Sequence, residues 1–296
     1  MTASPNVRPM FNTVAIVGVG LIGGSLGMAA KERKLARRVT GIGRSEQKLM
    51  RAKILGAIDD YCLDLETGAS DADLVVICTP VRTVVPTIER MAASFKPGAI
   101  VTDVGSTKAE IVSGASRVVP AGKFVGGHPM AGSEQAGVDA AFPDLFLGAT
   151  YVLTPTDETD LDALGAVAAL AEAVGARVET MSPEEHDAAV AVISHLPHVI
   201  SCALLHTAED LQRRDGRVFR LAAGSFRDLT RISDSPPVIW RDICLSNRSA
   251  IAAGIELFQE WLSRFRRALE ADDADAVMSA FEEACRIRET YLRMLR

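Results

Sequence analysis

A glycine-rich turn near the N-terminus limits the folds open to this chain. Residues 13–18 read TVAIVG, an apolar run typical of a buried strand. The turn that follows has the spacing G-x-G-x-x-G and leads into small residues that favour a helix. Glycine allows a tight turn, a close approach of phosphate to the backbone, and close packing of helix on strand. The pattern predicts a dinucleotide-binding βαβ unit with a cofactor site that includes Gly18, Gly20, Leu21, Ile22 and Gly23.

Short apolar runs alternate with helix-like stretches along the first 180 residues. Six of these runs predict strands, and they lie at 13–18, 39–43, 74–79, 99–104, 123–127 and 150–154. Few polar residues interrupt them, which is typical of a parallel sheet covered by helices on both faces. We therefore predict an α/β Rossmann domain over residues 1–180.

The sequence changes character after residue 180. Ser182, Pro183 and Glu185 form the pattern of a capped helix start, and no strand-like run follows. Two apolar stripes at helical spacing predict long helices that pack in the core and also suit a surface between two copies. We predict an all-helical substrate and dimerisation domain over residues 181–296. The stripes are Ile251, Ile255, Phe258, Leu262, Phe265 and Leu269, and then Val277, Phe281, Ala284, Ile287 and Tyr291.

Composition and charge exclude several classes of protein. The chain has 296 residues, 48% hydrophobic and 24% charged, which is enough for a packed core. Its net charge of -6 comes without a basic stripe, so we expect no nucleic-acid partner. Its five cysteines are scattered, which favours reduced thiols and excludes a cysteine zinc site. Without a signal-peptide pattern or an apolar run of about 20 residues, we expect a cytoplasmic protein that binds no membrane.

The end of the second predicted strand bears on the choice between NAD and NADP. A carboxylate there binds the ribose of NAD, whereas a basic residue accommodates the extra phosphate of NADP. The chain has Arg44 and Ser45 at this place, and its nearest carboxylate, Glu46, comes late. We therefore expect NADP to be preferred, with NAD as the alternative, because an exposed Arg44 stacked on adenine would suit either. The ends of the third and fourth strands add Thr79, Pro80 and Asp103 to the cofactor site, and Asp103 is expected mainly to fix its loop.

Polar motifs follow the predicted strands and recur in the helical part. They are Ser106-Thr107-Lys108, His128-Pro129-Met130-Ala131-Gly132-Ser133-Glu134, Ser194-His195-Leu196-Pro197-His198, and Gly224-Ser225-Phe226-Arg227-Asp228-Leu229-Thr230-Arg231. In this order, after the glycine turn, they resemble the prephenate/arogenate dehydrogenase family over almost the whole chain. The resemblance implies an NAD(P)-dependent homodimer that oxidatively decarboxylates a cyclohexadienol in tyrosine biosynthesis. The products would be CO2 and 4-hydroxyphenylpyruvate or tyrosine, with no metal required.

The resemblance also implies roles for individual residues. His128 matches the catalytic base, and a neutral imidazole can accept a hydroxyl proton near pH 7. Ser106 matches the serine that orients this histidine and the nicotinamide. Arg231 matches the arginine that holds the ring carboxylate, and Arg227 lies near the side-chain carboxylate, in keeping with the affinity of arginine for carboxylates. The pocket would also contain the gating pair His198 and Glu134, together with Ser133, His195 and Trp240, the last from either subunit.

Other functions remain open for the same pair of domains. An imine or β-hydroxyacid reductase would use a lysine in the helical part, and no lysine occurs after residue 180. A non-catalytic NAD(P)-sensing protein would be expected to lack His128 or Arg231, and both are present. His186 and His206 are interpreted as exposed helical residues. The choice between prephenate and arogenate stays open.

Overall fold

The computed structural model describes residues 9–120, 122–133 and 135–294. The chain divides into two compact units, with the boundary between Asn247 and Arg248. The first unit therefore contains the whole sheet and also the first helices beyond residue 180.

One eight-stranded sheet forms the centre of the first unit. The strands are β1 Phe11–Val17, β2 Ala36–Ile42, β3 Asp60–Cys62, β4 Leu74–Ile77, β5 Ile100–Asp103, β6 Phe124–Pro129, β7 Thr150–Thr154 and β8 Arg177–Thr180. The helices that alternate with them are α1 Leu21–Glu32, α2 Glu46–Ile54, α3 Val81–Met91, α4 Ala109–Ser116 and α5 Leu161–Ala173. The strand order is β3-β2-β1-β4-β5-β6-β7-β8, and its first six members follow the order of a Rossmann fold. The predicted α/β Rossmann fold is confirmed.

The sheet differs from the prediction at its two edges. Strands β3 and β8 were not predicted, because each is short and carries polar residues, as edge strands do. The all-parallel arrangement is wrong for one pair, since β6 and β7 run antiparallel with Pro129 opposite Tyr151. The described residues between these two strands form no α-helix, so the chain returns from the edge where β6 ends.

Side chains of β1 point alternately into two apolar cores, one on each face of the sheet. Val14 and Ile16 pack with Leu26 of α1 on one face. Ala15 and Val17 face the other layer, which contains helices α3 and α4. All four strand side chains are almost completely buried. Burial on both faces explains why the strand reads as an uninterrupted apolar run.

A long helical stretch follows the sheet, Pro183–Asp215, made of α6 Pro183–Val190, a π-helical segment Ala191–His195, and α7 Leu196–Asp215. The predicted capping box is confirmed: the Ser182 hydroxyl accepts from the Glu185 N–H, and the Glu185 side chain accepts from the Ser182 N–H. The short helices α8 Gly224–Thr230 and α9 Pro237–Ser246 complete the first unit.

The stretch Pro183–Asp215 is also long and apolar enough to cross a membrane, judged by length and composition alone, with a mean hydropathy of 1.8. A single helix of this kind is weak evidence, because core helices of soluble proteins pass the same test. Its first turns carry the buried Asp187, which accepts hydrogen bonds from two backbone N–H groups after β5. The expectation that the chain binds no membrane stays a prediction.

The second unit is a helical hairpin of α10 Arg248–Glu270 and α11 Ala274–Met294. The helices meet through an edge-to-face contact between Phe265 and Phe281, whose ring centroids are 5.8 Å apart. The prediction that both apolar stripes pack in the core is wrong for several members. Leu262, Leu269, Phe281, Ile287 and Tyr291 are all more than half exposed in the single chain.

Candidate active site

The glycine turn shows which of its glycines the protein itself requires. A Cβ atom on Gly18, where φ is +90°, would lie 2.8 Å from the Cys78 carbonyl oxygen. One on Gly23 would lie 2.5 Å from the Gly18 carbonyl oxygen. At Gly20, by contrast, an added Cβ would meet nothing within 4 Å. Packing therefore explains Gly18 and Gly23, whereas the open space at Gly20 fits a ligand that approaches the backbone.

Two further features of this edge fit a nicotinamide dinucleotide. Helix α1 begins after Gly20 without a side-chain cap, so the N–H groups of Leu21 and Ile22 are available to a phosphate. The Thr79 hydroxyl, beyond the end of β4, is buried and has no hydrogen-bond partner among the residues that the structure describes. A buried hydroxyl without a partner is costly unless a ligand satisfies it. The residues present therefore suit a bound dinucleotide.

The residues that bear on the cofactor's ribose lie beyond β2. Arg44 is exposed. Ser45 caps helix α2, and its hydroxyl accepts from the Lys48 N–H at 3.4 Å. Glu46, the nearest carboxylate, accepts a hydrogen bond from the Tyr61 hydroxyl at 3.0 Å. The exposed guanidinium of Arg44 is thus the only charged side chain among residues 43–45, all of which the structure describes.

A completely buried ion pair organises the loops after β5 and β6. Lys108 binds Asp103 and also donates to the Gly127 carbonyl at 2.8 Å. Asp103 accepts from the N–H groups of Gly105 at 2.7 Å and Gly127 at 3.2 Å. Asp103 therefore fixes the loop rather than pointing at a ligand. Pro80 has a structural position too, because it is the N-cap residue of helix α3.

His128 lies at the carboxyl end of β6, in contact with a second histidine. Its Nδ1 is 2.8 Å from Nε2 of His186, and Nδ1 of His186 is 2.8 Å from Oδ1 of Asp187. Asp187 also accepts from the backbone N–H groups of Lys108 at 2.7 Å and Ala109 at 2.9 Å. The start of α6 is therefore bound to the loop after β5, and the histidine pair joins α6 to the end of β6.

This arrangement corrects one interpretation made from the sequence. His186 was expected to be exposed, but its relative exposure is 0%. It is buried because the capped start of α6 packs on the sheet. A helix of eight residues is too short for its sequence periodicity to show which side is buried. His206, in the middle of α7, is exposed as predicted.

The π-helical segment explains how His195 joins the same site. Nine residues of regular α-helix would place His186 and His195 on faces about 180° apart. The wider π turn rotates each residue by less than the roughly 100° of an α-helix, which changes the relative direction of the two side chains, and both are buried. Pro197 lacks the N–H that a regular α-helix needs there, which favours the irregular turn. Asn247 then donates to Nδ1 of His195 at 3.2 Å and to the Asp187 carbonyl at 2.7 Å.

Burial controls the charge of these histidines. It holds the pKa of His128 well below its usual range, and His186, Lys108 and His195 act in the same direction. Burial also lowers the pKa of His195 to about 4. Both imidazoles are therefore neutral near pH 7, and His128 can accept a proton there.

A second cluster surrounds the aromatic ring of Trp240 on α9, and it includes histidines from the start of α7. The His198 ring stacks on Trp240 with centroids 3.5 Å apart, and His195 meets the same ring edge-on at 6.1 Å. His198 hydrogen-bonds the backbone of Ile232, whose neighbour is the exposed Arg231. Trp240 thus lines the histidine cluster of its own chain.

The remaining candidate residues make few contacts with the two histidine clusters. Arg227 lies on α8 one turn before Arg231, is exposed, and donates to the Ala222 carbonyl at 3.4 Å. Ser133 is exposed and accepts from the Gln135 N–H at 3.2 Å. Glu134 lies outside the described residues. Ser106 is half-buried, and in the described part of the chain no hydrogen bond joins it to His128, whose Nδ1 faces His186 instead.

Four residues of this site were missed by sequence reasoning: Lys108, His186, Asp187 and Asn247. One signal in the sequence could have indicated His186 and Asp187: they directly follow a capping box, and a capped helix start is fixed in position. Lys108 stands in a polar motif, but its contact with Asp187 joins residues 79 positions apart, and nothing local marks Asn247, whose partners are also distant along the chain.

The fold and the site together define a nicotinamide-dependent dehydrogenase with a Rossmann domain and a helical domain. Residues 26–180 match the family model described as prephenate dehydrogenase, nucleotide-binding domain, and residues 182–283 match prephenate dehydrogenase, dimerization domain. The chain belongs to the prephenate dehydrogenase family.

Curated relatives and solved structures agree with this assignment. The chain is 40% identical to prephenate dehydrogenase of Bacillus subtilis, over 94% of this chain and 76% of the relative. It is 35% identical to cyclohexadienyl dehydrogenase of Zymomonas mobilis, over 94% and 96%. Prephenate dehydrogenase of Aquifex aeolicus, solved with hydroxyphenyl propionate and NAD+, superposes with a TM-score of 0.91 at 32% identity, covering 95% of this chain and 98% of the other. Arogenate dehydrogenase of Synechocystis gives 0.82 at 30% identity, covering 94% and 99%.

Proposed function

We propose that this chain oxidises and decarboxylates prephenate, arogenate or both, with a nicotinamide dinucleotide as hydride acceptor. The names of its relatives support this class of substrate. The observation that carries the proposal is His128, a neutral imidazole at the carboxyl end of β6, where ligands of open α/β sheets bind. This reaction would belong to tyrosine biosynthesis.

His128 would act on the hydroxyl group of the substrate ring. The bound cofactor supplies a site for the hydride that leaves the hydroxyl-bearing carbon. As that C–H bond breaks, the hydroxyl proton passes to Nε2 of His128 and a carbonyl forms. The bond between the ring and its carboxylate then breaks to release CO2, and its electron pair makes the ring aromatic. The ring oxygen takes the proton back from His128, so that the step balances without a metal or another oxidant.

The substrate's two carboxylates need positive partners. Arg231 and Arg227 are one helical turn apart, and Arg231 adjoins the Ile232 backbone that binds His198. We assign the ring carboxylate to Arg231 and the side-chain carboxylate to Arg227, with Ser133, Glu134, His195, His198 and Trp240 around the pocket. Ser106 would contact His128 or the nicotinamide once both ligands are bound.

For the cofactor we propose a preference for NADP over NAD. The exposed Arg44 supports this preference, since it offers a charge to the 2′-phosphate, and Glu46 is engaged with Tyr61. We further propose that two copies associate through the helical part and that the protein works in the cytoplasm. The half-exposed apolar stripes of α10 and α11 and the scattered cysteines support these proposals.

A two-by-two rate assay tests the proposed function directly. Prephenate or arogenate is mixed with NAD+ or NADP+, and the absorbance of the reduced cofactor is followed. Turnover in the NADP+ reactions, with at least one of the substrates, is the expected result. Faster turnover with NAD+ would contradict the assignment of Arg44. Four inactive mixtures from protein that still binds a dinucleotide would contradict the proposed substrates.

A further inference from the structure

The three polar groups Asp187, His186 and His128 form a continuous hydrogen-bonded chain that ends at the proposed base. The two links are each 2.8 Å long, from Asp187 to His186 and from His186 to His128. His186 is completely buried and Asp187 is 5% exposed. Buried polar groups of this kind must satisfy one another, because water does not reach them.

The direction of each hydrogen bond follows from the surroundings of Asp187. Its two oxygens accept the backbone N–H groups of Lys108 and Ala109, at the start of helix α4. An anion is favoured there by the N–H donors and the helix dipole. A carboxylate can only accept, so the hydrogen in its bond with His186 must lie on Nδ1 of that imidazole.

The next link is then determined as well. A neutral His186 with its proton on Nδ1 has a lone pair on Nε2, which must accept from Nδ1 of His128. A doubly protonated His186 would reverse this bond, but it would place a cation beside His128, on which the completely buried Lys108 also acts. A neutral His128 with its proton on Nδ1 has its lone pair on Nε2.

We infer that His186 and Asp187 are positioning residues that hold His128 in the tautomer whose Nε2 can accept the hydroxyl proton. The inference rests on the proposed function and adds to it the reason why this imidazole is ready to act as a base. When Nε2 takes the proton, the Nδ1–H bond to His186 stabilises the cation, and the charge of Asp187 acts through it. The proton itself stays on His128 until it returns to the ring oxygen.

Two substitutions at residue 186 separate a positioning role from a merely structural one. His186→Leu removes the acceptor for His128, so kcat is expected to fall by a factor on the order of 10² or more, as for a base in the wrong tautomer. His186→Gln restores an acceptor of similar reach and is expected to recover part of that loss. The matched control is His206→Leu, on the exposed part of α7, which should keep the wild-type kcat.

The pH profile and the cofactor affinity complete this experiment. In Asp187→Asn the carboxylate charge is lost while His186 remains, so the protonated form of His128 loses stabilisation and the acid limb of kcat/KM should move to lower pH. The dissociation constants of both variants for NADP+ should match that of the wild type. A wild-type kcat in His186→Leu would overturn the inference. So would an unshifted acid limb, or a loss in kcat that merely parallels a loss of cofactor affinity.

A spectroscopic measurement tests the inference independently of turnover. In protein labelled with ¹⁵N-histidine, two-bond ¹H–¹⁵N correlation spectra show which ring nitrogen carries the proton, and His128→Asn identifies the signals. Protonation of His128 on Nδ1 is expected. Protonation on Nε2 would overturn the inference even if the enzyme is active. An inactive enzyme with Nδ1 protonated would contradict the proposed function and leave the tautomer assignment standing.

Discussion

At the level of single residues, the proposed chemistry depends on one basic nitrogen at the end of β6. We expect His128→Asn to lower kcat by a factor on the order of 10² or more, because the amide cannot accept the hydroxyl proton. The amide N–H can still donate to His186, which should keep the surrounding site intact. The affinity for the dinucleotide should therefore be unchanged. Steady-state kinetics and a fluorescence titration with NADPH measure the two quantities. A fully active variant would remove His128 from the role of base.

Recognition of the substrate is a separate property of Arg231. We expect Arg231→Gln to raise KM for the dicarboxylate chiefly, since a bound carboxylate loses its charged partner. KM should rise at least tenfold, which is the scale expected when a charge-assisted hydrogen bond is lost. Arg214→Gln, at an exposed position near the end of α7, is the control for lost charge alone. An equal KM in both variants would assign the ring carboxylate to another residue.

The sequence predicted the individual residues that belong to motifs, but not the residues that support them. His128 and the glycine turn stand at strand ends, where a ligand site is expected from topology alone. Asp187, which binds His186, accepts the N–H of Lys108, a residue 79 positions earlier in the chain. Contacts at such separations leave no periodic signal, so only the folded chain reveals them.

At the level of elements, the capping box of α6 has a measurable effect on stability. We expect Ser182→Ala to lower the free energy of unfolding by about 1 kcal/mol, because the Glu185 N–H loses its acceptor. Urea denaturation gives this value from the shift in midpoint at constant slope. Ser113→Ala, at an exposed position on α4, is the control and should change the midpoint little. Equal midpoints for the two variants would mean that the cap contributes nothing.

Most elements of the sheet were predictable, and the exceptions have physical reasons. The interior strands are apolar on both faces and read clearly as uninterrupted runs. Strands β3 and β8 have only three or four residues, which is too few for a pattern. The reversal at β7 depends on a connection whose described residues form no α-helix, whereas alternation of strands and helices predicts parallel neighbours. The π turn before His195 has no periodic signature at all.

For the whole molecule, the exposed apolar stripe of α10 predicts self-association. Leu262 is 54% exposed in the single chain, and a charge there would be buried in a dimer. We therefore expect Leu262→Glu to give monomers in size-exclusion chromatography with light scattering, whereas the unaltered protein gives dimers. Arg267→Glu introduces the same side chain on the opposite face of the helix and should remain dimeric. A monomeric wild type would contradict the proposed assembly.

Stability of the whole molecule should also depend on pH in a defined direction. His195 has a pKa of about 4 in the folded chain because it is buried, whereas an unfolded histidine titrates near 6.5. Between these values the unfolded chain binds more protons, so stability is present at higher pH and falls as the pH drops. One such group contributes a slope of about 1.4 kcal/mol per pH unit. Urea midpoints between pH 7 and 4 should show a shallower slope for His195→Gln than for His206→Gln, and equal slopes would contradict this assignment.

The bond between Asp187 and the loop after β5 has a consequence for how this site can evolve. Both donors are main-chain N–H groups, of Lys108 and Ala109, so their side chains play no part in the contact. Amino-acid exchanges at Ala109, proline excepted, leave its donor in place. The donor of Lys108 also depends indirectly on its side chain, because the buried pair with Asp103 holds the loop. Mutational drift can therefore break this link at residue 187, at the Lys108–Asp103 pair, or through an insertion or deletion that displaces the loop. Selection on the link is concentrated in these positions, and alignments of descendants should show them fixed while position 109 varies.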